Sequence, residues 1–313
     1  MFSVIMPVYN GEKFIDSAIQ SVFAQSEPDW ELIIVDDGSG DGTRAVLEKY
    51  QNTDKVRIIT QTNHGAAAAR NRAAGEARGT HLTFLDADDL WYENHLSVMK
   101  TLIEKYPSAG LYGTFTETRL QNGASVSECE YLGGNEDILL EDFFDAYHKD
   151  KSVKLFTMIT TCIPRAAFER AGGFPEGCAI GEDLELSLRV AAYYPVALSG
   201  LGTALYQKEN STATQKISFD PEWRFFDTVR DIYKDETISN TKRENLKKVM
   251  EWFTMRRCRH YLIAGQRKKA WRAFCETDRS AVAKKDIGIN LMLLVLPCGV
   301  VRRIFSMRWK GKA

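Results

Sequence analysis

The sequence has no apolar run long enough to cross a bilayer. The nearly uncharged stretch Ile287 to Val301 holds fifteen residues, against about 20 for a spanning helix. Met1 to Pro7 is too short and too poor in basic residues to serve as a secretory leader. The six cysteines (Cys129, Cys162, Cys178, Cys258, Cys275 and Cys298) form no C-x-x-C pair and no framework spacing. A disulfide-stapled scaffold is therefore not expected; inert thiols in a reducing compartment are. None of the five histidines has metal-ligand spacing. No P-loop is present, and the first strand is followed by Pro7-Val-Tyr-Asn-Gly11 instead of the G-x-G-x-x-G of a dinucleotide fold. A bound diphosphate would need its charge neutralised in some other way.

Net charge is also scarce, at −1, but its distribution is uneven. From Lys242 to the end there are nineteen Lys or Arg against five acids, or +14, leaving −15 on the first 241 residues. An acidic part and a basic part with different tasks follow from this asymmetry. At 313 residues and 44% hydrophobic, the chain can bury one large domain plus an appendage.

What is present in the first third is an alternation of strands and helices. Phe2 to Met6, Glu31 to Val35, Val56 to Thr60 and the apolar run ending at Leu85 read as strands. Between them, Asn10 is expected to cap a helix bearing Phe14, Ile15, Ala18, Ile19, Val22 and Phe23 on one face, and shorter helices span Thr43–Tyr50 and about Gly65–Ala77. Repeated β-α units predict a parallel sheet flanked by helices, with ligands beyond the C-terminal strand edges. Tyr9, Asp36 and the pair Asp86/Asp88 fall at that edge.

Asp86 and Asp88 stand two apart where a strand ends, so an extended backbone points both carboxylates to one side. Crowded carboxylates repel unless a positive charge joins them, and a hard divalent cation completed by phosphate oxygens meets that need. The alternative is a helix N-terminus, where acids are favoured before Leu90-Trp91. Glu182 and Asp183 pose the same choice: they open the helical pattern Leu184 to Val190 and serve either as its N-terminal charges or as a general base. Asp37 to Glu48 nearly fits an EF-hand loop, but the strand before it leaves no entering helix. Asp37 and Asp41 are expected to hold their turn through side-chain bonds to the backbone.

Six motifs then occur in order: Ser3-Val-Ile-Met-Pro-Val-Tyr-Asn10, Val35-Asp-Asp-Gly-Ser39, Asn63-His-Gly65 with Ala69-Arg-Asn71, Phe84-Leu-Asp-Ala-Asp-Asp89, Gly172-Gly-Phe174 and Gly181-Glu-Asp183. Over residues 2 to about 212 the chain resembles the family 2 glycosyltransferases of the GT-A fold. The resemblance implies inverting transfer of a sugar from a nucleotide-diphosphate donor, with a UDP sugar favoured, to an acceptor hydroxyl. It also implies that Pro7 and Tyr9 border the base, that Asp36 hydrogen-bonds it, and that Arg70 lies near the nucleotide. Asp86 would reach the ribose side, Asp88 would bind Mn²⁺ or Mg²⁺ with the diphosphate, and Asp183 would be the general base, with Glu182 the second candidate. Asn63 and Gly65 would shape the nucleotide pocket, although Asn-x-Gly is equally a turn, and Arg70 is equally a surface charge.

The chain departs from that pattern in places. Ala73 replaces a frequent glycine, Gln207 stands where an Arg is usual, and no His follows it, leaving Lys208 as a substitute cation. The Q-x-x-R-W signature of processive synthases is missing, so one sugar per encounter is expected. A nucleotidyltransferase that makes nucleotide sugars would carry a Gly-rich loop with Arg after the first strand, which this chain lacks. A non-catalytic sugar-nucleotide-binding scaffold would not need the retained carboxylates.

The expected organisation is a catalytic domain over 1–217 (nucleotide-sugar half 1–110, acceptor half 111–217), a helical extension over 218–283 and a basic, apolar tail over 284–313. In the middle, Leu111–Glu117 and Ser125–Tyr131 read as strands around a turn at Asn122-Gly123, Asp137–Tyr147 as a helix and Phe156–Thr161 as a strand. Beyond Ser218, helices are expected over Glu222–Tyr233, Lys242–Ala264 and Lys268–Ala283. The apolar run Ile287–Val301 lies between Lys284-Lys285 and Arg302-Arg303, and Pro297 should bend it. Basic residues at both ends disfavour a span. Either this run packs on the catalytic domain, or it lies in the interface of an anionic membrane. The second places a peripheral enzyme on the cytoplasmic membrane face, beside a glycan or lipid-linked acceptor. Nucleic acid is not an expected partner, because it would not require the apolar stretch.

Overall fold

The computed structural model describes residues 1–119, 125–127, 136–149, 157–177, 181–207 and 225–310. The Asn122-Gly123 turn and Lys208 lie outside them. The chain divides into two compact units, Met1–Ile217 and Ser218–Ala313.

The first unit is built on β1 (Phe2–Val8), α1 (Ile15–Phe23), β2 (Trp30–Asp36), α2 (Thr43–Glu48), β3 (Val56–Thr60), α3 (Ala66–Glu76) and β4 (His81–Phe84). Every residue of β1 is buried, as a strand covered on both faces requires, and β1 duly lies between β2 and β4 with parallel pairing to each. The half-exposed β3 takes the edge beside β2. The Ala-rich α3 turns Ala67, Ala69, Ala73 and Ala74 inward. Ala73 is fully buried, so the missing glycine is accommodated.

The chain continues through β5 (Leu90–Trp91), α4 (His95–Lys105), β6 (Leu111–Arg119), β7 (Ser125–Ser127), β8 (Asp137–Leu140), α5 (Phe143–Lys149), β9 (Thr161–Pro164), α6 (Arg165–Arg170), α7 (Glu182–Tyr193) and β10 (Val196–Tyr206). The sheet runs β3-β2-β1-β4-β9-β6-β10-β5, with β7 beside β6 and β8 beside β10. It is parallel through its first four strands and mixed beyond, since β9 is antiparallel to both β4 and β6. Helices flank this mostly parallel sheet in the GT-A arrangement.

Several sequence expectations give way here. Asn10 does not cap α1, which begins at Ile15. Its backbone takes a left-handed turn (φ 52°), and its Oδ1 accepts from Gly40 N at 2.8 Å, tying the β1 loop to the β2 loop. The segment 137–147 is not one helix. Asp137–Leu140 pairs antiparallel with Val196–Ser199, and Asp142 then accepts from Phe144 N and Asp145 N to start α5. Within Phe156–Thr161, Met158–Thr160 is a 3₁₀ turn, and the strand follows it as β9.

The second unit holds α8 (Phe225–Lys234), α9 (Asn240–Ile263), α10 (Arg267–Glu276), α11 (Lys284–Val295) and α12 (Cys298–Lys310). Ser239 Oγ accepts from Lys242 N at the start of α9, two residues ahead of the expected boundary. The helix expected over Lys268–Ala283 stops at Glu276, because Thr277 turns extended and Asp278 opens a separate 3₁₀ turn. Met255, Cys258 and Leu262 of α9 pack with Ala270 and Phe274 of α10, Leu293 and Leu294 of α11, and Val301 of α12. Pro297 interrupts the tail instead of bending one helix. The carbonyls of Leu294 and Leu296 that lose helical partners there accept from the Arg267 guanidinium.

Candidate active site

A cavity of about 610 Å³ opens at the C-terminal edge of β1 and β4 in the first unit. Pro7, Tyr9, Asn63, Arg70, Asp86, Asp88, Glu182 and Asp183 all line it. Residues up to 176 positions apart in sequence thus face one space. Asp36 is the exception among the candidates. It is fully buried, its carboxylate accepting from Ser39 N at 2.9 Å and paired with Arg44 Nε at 3.0 Å. Its neighbour Asp37 lines the cavity instead and accepts from His64 N, Gly65 N and Gln61 Nε2 at 2.8–2.9 Å. The expectation that Asp37 serves its own turn is therefore corrected: it clamps the loop after β3, including Gly65 (φ 89°), against the loop after β2. Adjacent acids Asp36 and Asp37 alternate sides on an extended backbone, which is the signal that could have separated their roles. Asp41 does hold its turn, accepting from Thr43 N and from Glu12 N.

Arg70 is no surface charge. It is 5% exposed, and its two terminal nitrogens donate to Asp86 (2.6 Å) and Glu182 (3.0 Å). Burial alone would depress its pKa, but the Asp86 and Glu182 carboxylates hold it above the usual arginine range. Phe174 packs on the guanidinium, 5.3 Å from the ring centroid. The next residue, Asn71, accepts from Phe174 N at 2.8 Å and donates to Phe174 O at 2.9 Å. The Ala69-Arg-Asn71 element thereby seats the Gly172-Gly-Phe174 loop. Gly173 (φ 68°) sits so close that a Cβ would lie 2.8 Å from Asn71 Oδ1.

The carboxylates do not share one environment. Burial first, and then the Asp86 charge, push Asp88 up to about 6, with Arg70 and its own backbone amide pulling the other way. Asp89 is more buried still and rises to about 9, through burial and then the charges of Asp86 and Asp88. Gln207 donates from its backbone N to Asp89 at 2.8 Å and from Nε2 to the Asp88 carbonyl at 2.9 Å. The residue that departs from the usual Arg therefore buttresses the acidic loop. Trp91 locks the other side of that loop, stacking on His95 at 4.0 Å and donating from Nε1 to Ile159 O at 2.7 Å.

Also lining the cavity, Gly181 (φ 92°) turns the chain into α7. Asp183 Oδ1 accepts from Leu184 N at 2.7 Å. Burial, then the neighbouring Glu182 charge, raise Asp183 to about 6.

Among the described residues no three His, Cys, Asp or Glu side chains converge into a ready-made metal cage. The donor set nevertheless fits a hard divalent cation. Asp88 is a cavity-lining carboxylate whose charge its surroundings leave under-compensated, and Mg²⁺-type sites use one or two carboxylates and take the rest from phosphates and water. No histidine is among the described residues that line the cavity, and His95, close in sequence to the acidic loop, is fully buried against Thr203 Oγ1 (2.7 Å), where burial lowers it to about 3.

Residues 3–165 match the family model described as Glycosyl transferase family 2. Among curated proteins, the chain is 45% identical over 98 residues to the Bacillus subtilis "Putative teichuronic acid biosynthesis glycosyltransferase TuaG", covering 31% of this chain and 39% of that protein. It is 36% identical over 116 residues to the Escherichia coli "UDP-Glc:alpha-D-GlcNAc-diphosphoundecaprenol beta-1,3-glucosyltransferase WfgD", covering 37% and 46%. The matches thus span less than half the length of these relatives. Among solved structures, S. aureus TarS 1-349 in complex with UDP-GlcNAc superposes with a TM-score of 0.68 at 19% identity, covering 98% of this chain and 91% of that one. That likeness is one of fold. The matched segment is more than half of the chain and contains the first four motifs, and the chain belongs to glycosyltransferase family 2.

Proposed function

We propose that the protein transfers one sugar from a nucleotide-diphosphate donor to an acceptor hydroxyl, with inversion, in the cavity between Asp86-Ala-Asp88 and Glu182-Asp183. The observation that carries this reading is the convergence of the two carboxylate pairs on one cavity, with Arg70 bonded to one member of each. Pro7 and Tyr9 would border the base and Asn63 the nucleotide pocket. Asp86 would face the ribose, and Asp36 would act from beneath by shaping the loop that carries Asp37. Asp88 would hold Mn²⁺ or Mg²⁺, which when bound supplies Lewis-acid stabilisation of the departing diphosphate.

The base is assigned by elimination between neighbours. Glu182 commits its carboxylate to Arg70, whereas Asp183 is held by a single backbone amide and has a proton affinity near neutrality. A base of that pKa is mostly ionised at pH 7 yet strong enough to take the hydroxyl proton as the new bond forms. The acceptor oxygen then bonds to the anomeric carbon while the carbon–oxygen bond to the diphosphate breaks, and the leaving nucleoside diphosphate takes the electron pair. One displacement gives one inversion.

The bound UDP-GlcNAc of TarS and the UDP-Glc named for the E. coli relative make a UDP sugar the first donor to try. The diphosphoundecaprenol in the latter's name makes a lipid-linked glycan the acceptor class to try, in surface polysaccharide synthesis. The same reading assigns 1–110 to the donor, 111–217 to the acceptor, 218–283 to a helical extension, and 284–313 to attachment at the cytoplasmic face of a membrane. Among the described residues no helix is long and apolar enough to cross one. Incubation with a panel of nucleotide sugars, Mn²⁺ and lipid-linked glycans tests the reaction. Nucleoside diphosphate release with an inverted anomeric signal in the product is expected, and retained configuration or no release with any donor overturns it.

A further inference from the structure

Helix α11 is apolar on both of its sides. Asn290, Leu293 and Leu294 are buried, the two leucines in the cluster with α9 and α10. On the outward side, Gly288, Leu291, Met292 and Val295 follow the i, i+3, i+4, i+7 spacing of a single helical stripe, and Val295 is 79% exposed. Val300 and Ile304 of α12 are exposed one turn apart, while Val301 between them is buried. Half of the ten large hydrophobic residues exposed among the described residues fall between 291 and 304. A solvent-facing helix ordinarily turns polar residues outward, so this concentration marks a contact face.

The surrounding charge identifies what covers it. Lys284 and Lys285 are exposed at the start of the stripe, and Arg302 and Arg303 are exposed beyond it. Residues 284–313 carry seven Lys or Arg and one acid. That acid, Asp286, is paired with Arg259 at 2.5 Å. A second copy of this chain would bring two basic rims together, whereas an anionic lipid surface complements both the charge and the apolar stripe. At twelve residues, α11 is about 18 Å long, too short to span and suited to lying in the interface plane.

We infer that the outward faces of α11 and α12 form a built lipid contact, with Leu291, Met292 and Val295 entering the acyl boundary and Lys284, Lys285 and Arg303 meeting anionic headgroups. The inference rests on the attachment role proposed above for 284–313 and names its face and lipid class. Full-length protein is sedimented with vesicles of phosphatidylglycerol and phosphatidylcholine, and with phosphatidylcholine alone, at low and high salt. Thermal melts and nucleoside diphosphate release in vesicle-free solution are recorded alongside. Binding is expected to the anionic vesicles and to weaken with salt. The triple variant L291S/M292S/V295S should lose it at least tenfold with an unchanged melt and unchanged release. The triple variant K284Q/K285Q/R303Q should lose it roughly a hundredfold, at about fivefold per basic residue near the surface.

Wild-type protein that ignores anionic vesicles overturns the attachment role. Wild-type binding that the serine variant retains leaves that role in place and overturns this face. A concentration-dependent dimer abolished by the serine variant, without vesicle binding, assigns the face to a second copy and overturns the lipid contact. Release of diphosphate reads the chemistry separately in every case.

Discussion

Arg70 donates to Glu182 at 3.0 Å although 112 positions separate the two residues. Through its other nitrogen the same guanidinium holds Asp86, so the strand edge that would face the nucleotide and the helix that would carry the base are fastened to one buried cation. Neither segment can shift without loosening the other.

Replacing Arg70 should therefore cost both stability and turnover. Arg70→Met leaves two carboxylates without their counter-charge, and breaking such a pair costs about 3–5 kcal/mol. Arg70→Lys keeps the charge but loses the two-pronged geometry, and a fall in kcat/KM of roughly a hundredfold is expected. Chemical denaturation of both variants with steady-state kinetics of the second would check this; wild-type stability in Arg70→Met would refute it.

Asp88→Asn should abolish transfer and weaken metal-dependent donor binding. The change removes a hard oxygen ligand and a charge together. Calorimetric titration of donor with and without Mn²⁺ measures the binding. Full turnover by the variant, or by wild-type enzyme in EDTA, would contradict the metal assignment.

Asp183→Asn should bind donor normally and turn over at least a hundredfold more slowly, because an amide cannot accept the hydroxyl's proton. In wild-type enzyme kcat/KM should fall below about pH 6, where Asp183 becomes protonated. If both parameters stay near wild type, Glu182 is the next residue to substitute.

The same carboxylate predicts a stability effect of opposite sign. Its folded pKa of about 6 lies above the ordinary value near 4, so the native state holds a proton more tightly than the unfolded chain. The resulting penalty is fully present above pH 6 and vanishes as pH falls towards 4. Asp183→Asn should accordingly be about 2–3 kcal/mol more stable than wild type at pH 7.5, with the difference shrinking to roughly a third of that by pH 4.5. Thermal melts across that range decide it; a constant difference would assign the effect to something other than titration.

Gly173→Ala should destabilise by at least about 1–2 kcal/mol, the cost of a left-handed residue with a Cβ, and more because Asn71 Oδ1 stands 2.8 Å from the new atom. Donor turnover should drop with it as the loop bearing Phe174 leaves Arg70. A variant with unchanged melting and kinetics would refute the packing argument.

The first three strands and α3 are readable in the sequence because each is a local pattern. Short apolar, β-branched runs such as Glu31–Val35 read as buried strands without help from distant residues, although Pro7, expected to halt the first strand at Met6, lies within β1, which continues to Val8. The acidic cluster after Phe84 was legible for the same reason: it follows directly from the end of a strand. The segment 137–147 was not. Its Ile-Leu-Leu run suits either a helix or a strand, and only β10, some sixty residues later, offers the edge that makes it a strand. Glu182 and Asp183 looked like any acidic helix start until Gly181 and the Arg70 pair aimed them into the cavity.

The sequence by itself determined which chemistry was present: carboxylates at strand ends, an arginine between two small-residue turns, and a basic, apolar tail. Those follow from composition and periodicity over a few residues. The tertiary structure alone decided which of two adjacent acids faces the cavity. Asp36 turns under the sheet to Arg44 while Asp37 turns out to the loop after β3. It alone decided that Arg70 is buried between Asp86 and Glu182, and that α11 shows leucine, methionine and valine to the outside while burying other leucines within. The physical reason is common to all three. Burial and charge pairing depend on atoms contributed by segments far apart in the chain, and no local pattern contains them.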